Sequence, residues 1–196
     1  MRIIAGTFRS RPLQAPAGLA TRPSSDRLRE TLFNVLAPRI EGAHFLDLYA
    51  GSGAVGLEAL SRGAEHVVFV EHVPAALKVL QANLARLRLT AGFSIQSGSV
   101  GAYLRRALPE SKRFDLVFLD PPYDAAHEYA TTLGLLGGAA AELLADDALV
   151  IAEHRRKEKL EDRFGSLTRT RLLEQGDAAL SFYAIAKGKD SQELSR

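Results

Sequence analysis

Four consecutive residues, Asp120-Pro121-Pro122-Tyr123, follow the apolar run Phe114-Asp115-Leu116-Val117-Phe118-Leu119. They place a carboxylate, a stiff stretch of backbone and an aromatic face at the end of what reads as a buried strand. An exocyclic amine on a nucleobase is a poor nucleophile, because its lone pair is delocalised into the ring. Hydrogen bonds from its N–H groups to a carboxylate and a backbone carbonyl turn that lone pair towards a methyl donor. Asp120 offers the carboxylate, the Pro121 carbonyl is the second acceptor, and the two prolines hold both in place. Tyr123 offers a stacking face, a contact worth about 1–3 kcal/mol per base. The bland alternative is a Pro-Pro turn that caps a buried strand, with Tyr123 merely packing.

A second motif lies upstream. Gly51-Ser52-Gly53-Ala54-Val55-Gly56 fits G-x-G-x-x-G, and it too follows an apolar run and opens a helical stretch. Glycines let the backbone turn sharply and approach a ligand without a Cβ in the way. Glu71 ends the next apolar run, 20 positions after Gly51. An acid at that place can accept both ribose hydroxyls of a nucleoside. Loop, helix and acid in this register point to an adenosine-containing cofactor. NAD and S-adenosylmethionine both present adenosine. Asp47, inside the preceding strand, fits the second better: it can hold the loop or meet the ammonium of a methionine moiety. Tyr49, Ala50 and Ser52 belong to the same candidate cradle, and His72 lines the adenosine pocket or its rim.

These motifs need a scaffold. The chain has 196 residues, enough for one domain with a full core and a small appendage. Strand candidates are 44–49, 67–71, 93–96, 114–120 and 148–153, with helical stretches between them. Such alternation predicts an α/β, Rossmann-like fold with a parallel sheet covered on both faces. Pro74 suits the first turn of one helix and Gly63 the end of another. Residues 24–37 read as a helix capped by Ser24 or Ser25 and stopped by Pro38. Segments 167–174 and 180–186 are joined by a loop too short for a helical crossover, so they read as an antiparallel hairpin closing the sheet. The expected organisation is a basic hairpin arm at 1–20, a main domain at 21–188 and a polar tail at 189–196.

Charge is uneven. Residues 1–40 hold seven arginines and two acids, a net +5, while the remainder holds 18 basic and 21 acidic residues. A basic arm on a mildly acidic body suits a polyanion, and arginine's planar fork suits phosphate. Arg2, Arg9, Arg11 and Arg22 are the candidates for nucleic-acid contact. With no cysteine there is no disulfide, thiolate nucleophile or thiolate metal site. The five histidines show no metal-ligand spacing, so no metal is expected. The N-terminus lacks the apolar core of a signal peptide and no run spans a bilayer, which favours a cytoplasmic protein with no membrane partner. The run Arg155-Arg156-Lys157-Glu158-Lys159 mixes signs and reads as a solvated helix face.

The motifs resemble those of class I amino-methyltransferases, and more closely those of the bacterial 16S rRNA guanine-N2 methyltransferases of the RsmD family. The likeness runs through Arg2-Ile3-Ile4-Ala5-Gly6, the segment from Thr21 to Asn34, the segment from Leu46 to Ala64, and Asp120–Tyr123. The glycine and Asp-Pro-Pro-Tyr motifs are widespread; the segment Arg22-Pro23…Asp26-Arg27…Arg29-Glu30…Leu32-Phe33-Asn34 is the family-specific part. The resemblance implies a seven-stranded sheet with its last strand antiparallel, S-adenosylmethionine as donor, and a guanine N2 of 16S rRNA in an assembling small subunit as acceptor. It also implies that Asp26 and Arg27 lie near the methionine end of the cofactor and that the enzyme is a monomer. Many relatives of this fold place an acid or amide after the third strand for the adenine amine. Here the stretch is Gln96-Ser97-Gly98-Ser99-Val100, so Ser99, with Val100, is the candidate adenine contact. The rivals left open are an amino-methyltransferase acting on DNA adenine N6 or cytosine N4, a nicotinamide-dependent oxidoreductase, and a non-catalytic RNA-binding module.

Overall fold

A computed structural model describes residues 1–15, 23–106, 113–122 and 127–186, without the side chains of 23–25. Tyr123 and Arg22 lie outside the described residues, as does the tail. The apolar runs become parallel strands β1 (His44–Leu48), β2 (His66–Glu71), β3 (Phe93–Ser97), β4 (Phe114–Leu119) and β5 (Leu144–Arg155). Most of their residues are buried, as expected for strands covered on both faces. Helices α1 (Pro23–Leu36), α2 (Ala54–Ser61), α3 (Pro74–Arg86), α4 (Val100–Arg106) and α5 (His127–Leu136) cover the sheet. The chain closes with β6 (Arg163–Phe164), β7 (Leu167–Gln175) and β8 (Ala178–Ile185).

The sheet order is β3-β2-β1-β4-β5-β8-β7-β6. β8 enters antiparallel against β5 and makes the expected hairpin with β7. The sheet has eight strands, one more than expected. The extra strand, β6, is a two-residue pairing made where the chain doubles back at Gly165, at a positive φ of 57°. A run of two residues carries no periodicity by which to read it.

Two apolar layers flank the sheet. One holds Phe45, Phe69, Phe118 and Ile151 with Leu28, Leu32, Phe33 and Leu36 of α1, Leu57 of α2 and Leu80 and Leu84 of α3. The other holds Leu48, Val70, Leu119 and Val150 with Leu104 of α4 and Tyr129 and Leu133 of α5. Each fully buried Leu or Phe contributes about 1.5–3 kcal/mol, so α1 is held by its apolar stripe rather than by propensity. Alternation along each strand then decides which acids share a face. Asp47, Glu71, Asp120 and Glu153 are each two residues beyond a member of the first layer, so all four point to the α1 side.

Three sequence expectations are corrected. Helix α1 starts at Pro23, so Ser24 and Ser25 lie inside its first turn instead of capping it; proline's fixed φ opens the helix. The basic run from Arg155 is no helix: Arg155 ends β5 and the next residues turn, with Glu158 N donating to Arg155 O at 2.9 Å. The loop 175–179 shrinks to the two-residue turn Gly176-Asp177, because Gln175 pairs with Ala178 and Gly176 takes a positive φ of 62°.

The arm folds back on itself around one bridge, Arg2 to Pro12, with Ile3 N donating to Arg11 O at 3.0 Å and Leu13 N to Met1 O at 3.0 Å. It docks on the body. Ile3 and Leu13 are buried, and the Glu58 carboxylate of α2 accepts Ile4 N at 2.7 Å and Ala5 N at 3.0 Å. Gly6 sits at φ 83°, and a Cβ there would collide with the Ser61 carbonyl.

Candidate active site

β1 runs into the glycine loop and β4 into Asp120-Pro121-Pro122, and the two strands are parallel neighbours with Leu48 opposite Leu119. Both segments therefore leave the same edge of the sheet side by side, at the place where the strand order reverses and ligands of doubly wound sheets bind.

The loop is built from its own sequence. Gly51 and Gly53 take φ of 55° and 80°, and Gly53 N donates to Ala50 O at 2.7 Å to close the turn. Gly56 is glycine for a different reason. A Cβ there would collide with the Phe69 ring, so α2 could not lie this close to β2. Among the described residues the only atom a Cβ at Gly51 would approach within 4 Å is the Tyr49 carbonyl, at 3.9 Å. That leaves space for a ligand against bare backbone.

Acids bind the loop from both sides. Asp47, buried, accepts Gly56 N at 2.9 Å. Burial, with help from the Asp120 and Glu71 charges, pushes its pKa up to about 7, against the pull of the Gly56 N–H. Glu71 accepts Gly51 N at 2.7 Å through one oxygen, and His72 N and Val73 N at 2.8 Å each through the other. Its carboxylate is thus aimed at the loop, where the sequence puts a ribose. His72 is mostly exposed at the rim, its Nδ1 3.6 Å from Glu71.

Asp120 is half-buried beyond β4, Pro121 is buried and Pro122 exposed. Burial pushes Asp120 up to about 7. No described residue hydrogen-bonds to its carboxylate.

The remaining candidates have partners of their own. Tyr49 has a positive φ of 61°, and its hydroxyl bonds Glu128 at 2.8 Å and Thr132 at 2.7 Å on α5. Only its backbone borders the loop. Ser99 caps α4, its Oγ accepting Ala102 N at 3.3 Å, and Val100 is buried in the second layer. Asp26 pairs with Arg29 at 3.0 Å, while Arg27 is exposed. Arg2, Arg9 and Arg11 are exposed on the docked arm. His154 is a core residue: it bonds Arg155 O and Ser181 Oγ at 2.9 Å each, and burial lowers its pKa.

Four residues escaped the sequence reading. Glu58, Asn83, Arg29 and Glu153 have burial or partners at the site. Glu58 carried a signal, as the one charged residue in Ala54–Ser61. Asn83, also fully buried, donates through Nδ2 to Ser52 O at 2.9 Å and Gln14 O at 3.1 Å and accepts Gln14 N at 2.7 Å. It joins loop, arm and α3. Arg29 donates to Arg2 O at 2.6 Å, and its Nε is buried without a hydrogen-bond partner, 3.9 Å from Glu58.

A shallow depression lined by His44, Glu65, Asp115 and Asp146 lies at the opposite, N-terminal edge of the strands and is no part of this site. Among the described residues no three His, Asp or Glu are grouped to hold a metal, and no helix is long and apolar enough to cross a membrane.

The family model described as Conserved hypothetical protein 95 matches residues 1–184. The chain is 40% identical over 153 residues to ribosomal RNA small subunit methyltransferase D of Escherichia coli K12, covering 78% of this chain and 74% of that protein. It is 36% identical over 183 residues to YlbH of Bacillus subtilis, covering 93% and 98%. The solved structure of YhhF from Escherichia coli superposes with a TM-score of 0.81 at 34% identity, covering 94% of this chain and 97% of that one. The match along almost the whole chain shows that it belongs to the Conserved hypothetical protein 95, or RsmD, family of S-adenosylmethionine-dependent methyltransferases.

Proposed function

We propose that the protein transfers a methyl group from S-adenosylmethionine to the exocyclic N2 amine of a guanine in 16S rRNA of the assembling small ribosomal subunit. The observation that carries this reading is the parallel pairing of β1 with β4, which sets the glycine loop and Asp120 side by side. The name of the Escherichia coli relative supports ribosomal RNA of the small subunit as substrate.

The residues present fit the cofactor. Gly51 leaves bare backbone and open space for a nucleoside, Glu71 is an acceptor for ribose hydroxyls, and Asp47 is a carboxylate for the ammonium of the methionine part. When bound, S-adenosylmethionine supplies an electrophilic methyl group on a sulfonium. Asp120 and the Pro121 carbonyl accept the two N–H groups of the base amine and aim its lone pair at that carbon. Tyr123 stacks on the base, which is unpaired or flipped out. The donor would give up that methyl with the C–S electron pair left on its sulfur, while Asp120 and the Pro121 carbonyl hold the amine. The proton lost from N2 passes to Asp120, whose raised pKa suits it to take one near neutral pH. Arg2, Arg9 and Arg11, exposed on the docked arm, hold RNA phosphates together with Arg22.

The test is transfer of labelled methyl to three acceptors: 30S particles lacking the modification, naked 16S RNA and duplex DNA, with the product nucleoside identified by mass spectrometry. N2-methylguanosine is the expected product. Methylated adenine or cytosine in DNA would overturn the reading. In the same assay Asp120→Ala is expected to bind cofactor with unchanged affinity and to lose about 100-fold or more in kcat; near-normal turnover removes the role given to Asp120.

A further inference from the structure

We infer that Glu153 is a second base-holding carboxylate, which accepts the N1–H of guanine while Asp120 accepts from N2, and so selects guanine over adenine and cytosine. The inference rests on the guanine reading above and deepens it. The Asp-Pro-Pro-Tyr motif by itself suits any exocyclic amine. Something else must read the ring atom next to that amine.

Placement comes from the sheet. Leu119 of β4 lies opposite Ala152 of β5 in parallel register, so the next residues, Asp120 and Glu153, are neighbours across about 4.8 Å of backbone. Both project to the α1 face at the edge the loops leave. The Glu153 backbone is anchored on the other side: Tyr129 Oη donates to its carbonyl at 2.8 Å, and it pairs with Leu180 of β8. The Glu153 backbone is thus held by two strands and a helix. Its carboxylate is half-buried, and no described residue hydrogen-bonds to it. Burial and the Asp120 charge push its pKa well above the usual carboxylate range, and the Arg29 guanidinium pulls it back towards the ionised form. Two adjacent carboxylates without donors match a partner that brings N–H groups in a row.

Guanine is that partner. Its Watson–Crick edge presents N1–H beside N2–H2. Adenine and cytosine present an amine beside a bare ring nitrogen, which has no N–H to give to Glu153. One carboxylate at this position therefore accepts one base and rejects the others.

The experiment compares wild type and Glu153→Gln on the RNA fragment that wild type methylates, synthesised with guanine or 2-aminopurine at the target. 2-Aminopurine keeps the N2 amine and lacks N1–H. Wild type should prefer guanine by about 100-fold in kcat/KM, and Glu153→Gln should lower guanine methylation about 10–100-fold while its preference shrinks to a few-fold. The preference is a ratio within one protein sample, so a partly folded variant does not disturb it. Cofactor affinity, measured alongside, should be unchanged. An equal loss on both acceptors, or no loss on guanine, overturns the role of Glu153 and leaves the guanine reading standing. Wild-type methylation of adenine or cytosine in place of guanine overturns both.

Discussion

At pH 7 the Asp47 carboxyl sits near its midpoint, because burial lifts its pKa from 3.8 to about 7. A carboxyl whose folded pKa exceeds its unfolded value contributes stability that is full below about pH 4 and lost as pH rises through 7. Asp47→Asn removes that titration and keeps an oxygen to accept Gly56 N. The variant should therefore gain stability relative to wild type as pH rises from 5 to 8. The gain should reach a few kcal/mol, since each tenfold difference in proton affinity between the folded and unfolded chain is worth about 1.4 kcal/mol. Its affinity for S-adenosylmethionine should fall, since the carboxylate is the proposed ammonium partner. Thermal melts at the two pH values with calorimetry of cofactor binding check both; a stability difference independent of pH would show that the charge is not what burial penalises. His154 has the opposite sign. Its lowered pKa means that stability is lost as pH falls below about 6.5.

Between elements, the glycine loop is tied to more than its own strand and helix. Asn83 of α3 bridges the Ser52 carbonyl of the loop and both backbone groups of Gln14 in the arm. Glu58 of α2 takes two further arm amides and the Arg62 Nε at 2.7 Å. The arm, which reads as a separate appendage, is thereby part of the wall that shapes the cofactor loop. Asn83→Leu leaves these backbone groups without partners, at a cost of about 2–3 kcal/mol. The expected outcome is a lower Tm, weaker cofactor binding and faster tryptic cleavage after Arg9. Wild-type cleavage rates in the variant would show that the arm is held by Glu58 and its apolar contacts alone.

For the molecule as a whole, charge is divided by surface. Carboxylates at the C-terminal ends of β1, β2, β4 and β5 make the site acidic, which suits a cationic donor and a base that brings N–H groups. Arg2, Arg9 and Arg11 stand exposed on the arm that borders the loop. Polyanion binding and base chemistry are then separable. Replacing the three arginines with glutamine should lower the slope of log affinity against log salt by about 2, at roughly 0.7 per single-strand phosphate contact. KM for RNA should rise with kcat little changed. A fall in kcat with unchanged KM would place these arginines in support of the loop instead.

The elements were legible in the chain alone, because the signals that set them are local, and the same local motifs name the candidate site residues. Apolar runs, Pro74, Gly63 and the glycine spacing act over a few residues, and five parallel strands fall within a few residues of where alternation puts them. Asp47, Glu71 and Asp120 could be named since each ends or precedes a motif. Folding decides which partners those residues take. Tyr49 borders the loop in sequence, yet its left-handed backbone swings the ring onto α5. Ser99 became a helix cap, and the basic run after Arg155 a turn. Asn83 meets Gln14 and Ser52, and Glu153 comes beside Asp120, only through folding. Pairing register and burial are set by contacts distant in sequence, and no local pattern encodes which buried polar group will be left with a partner and which without.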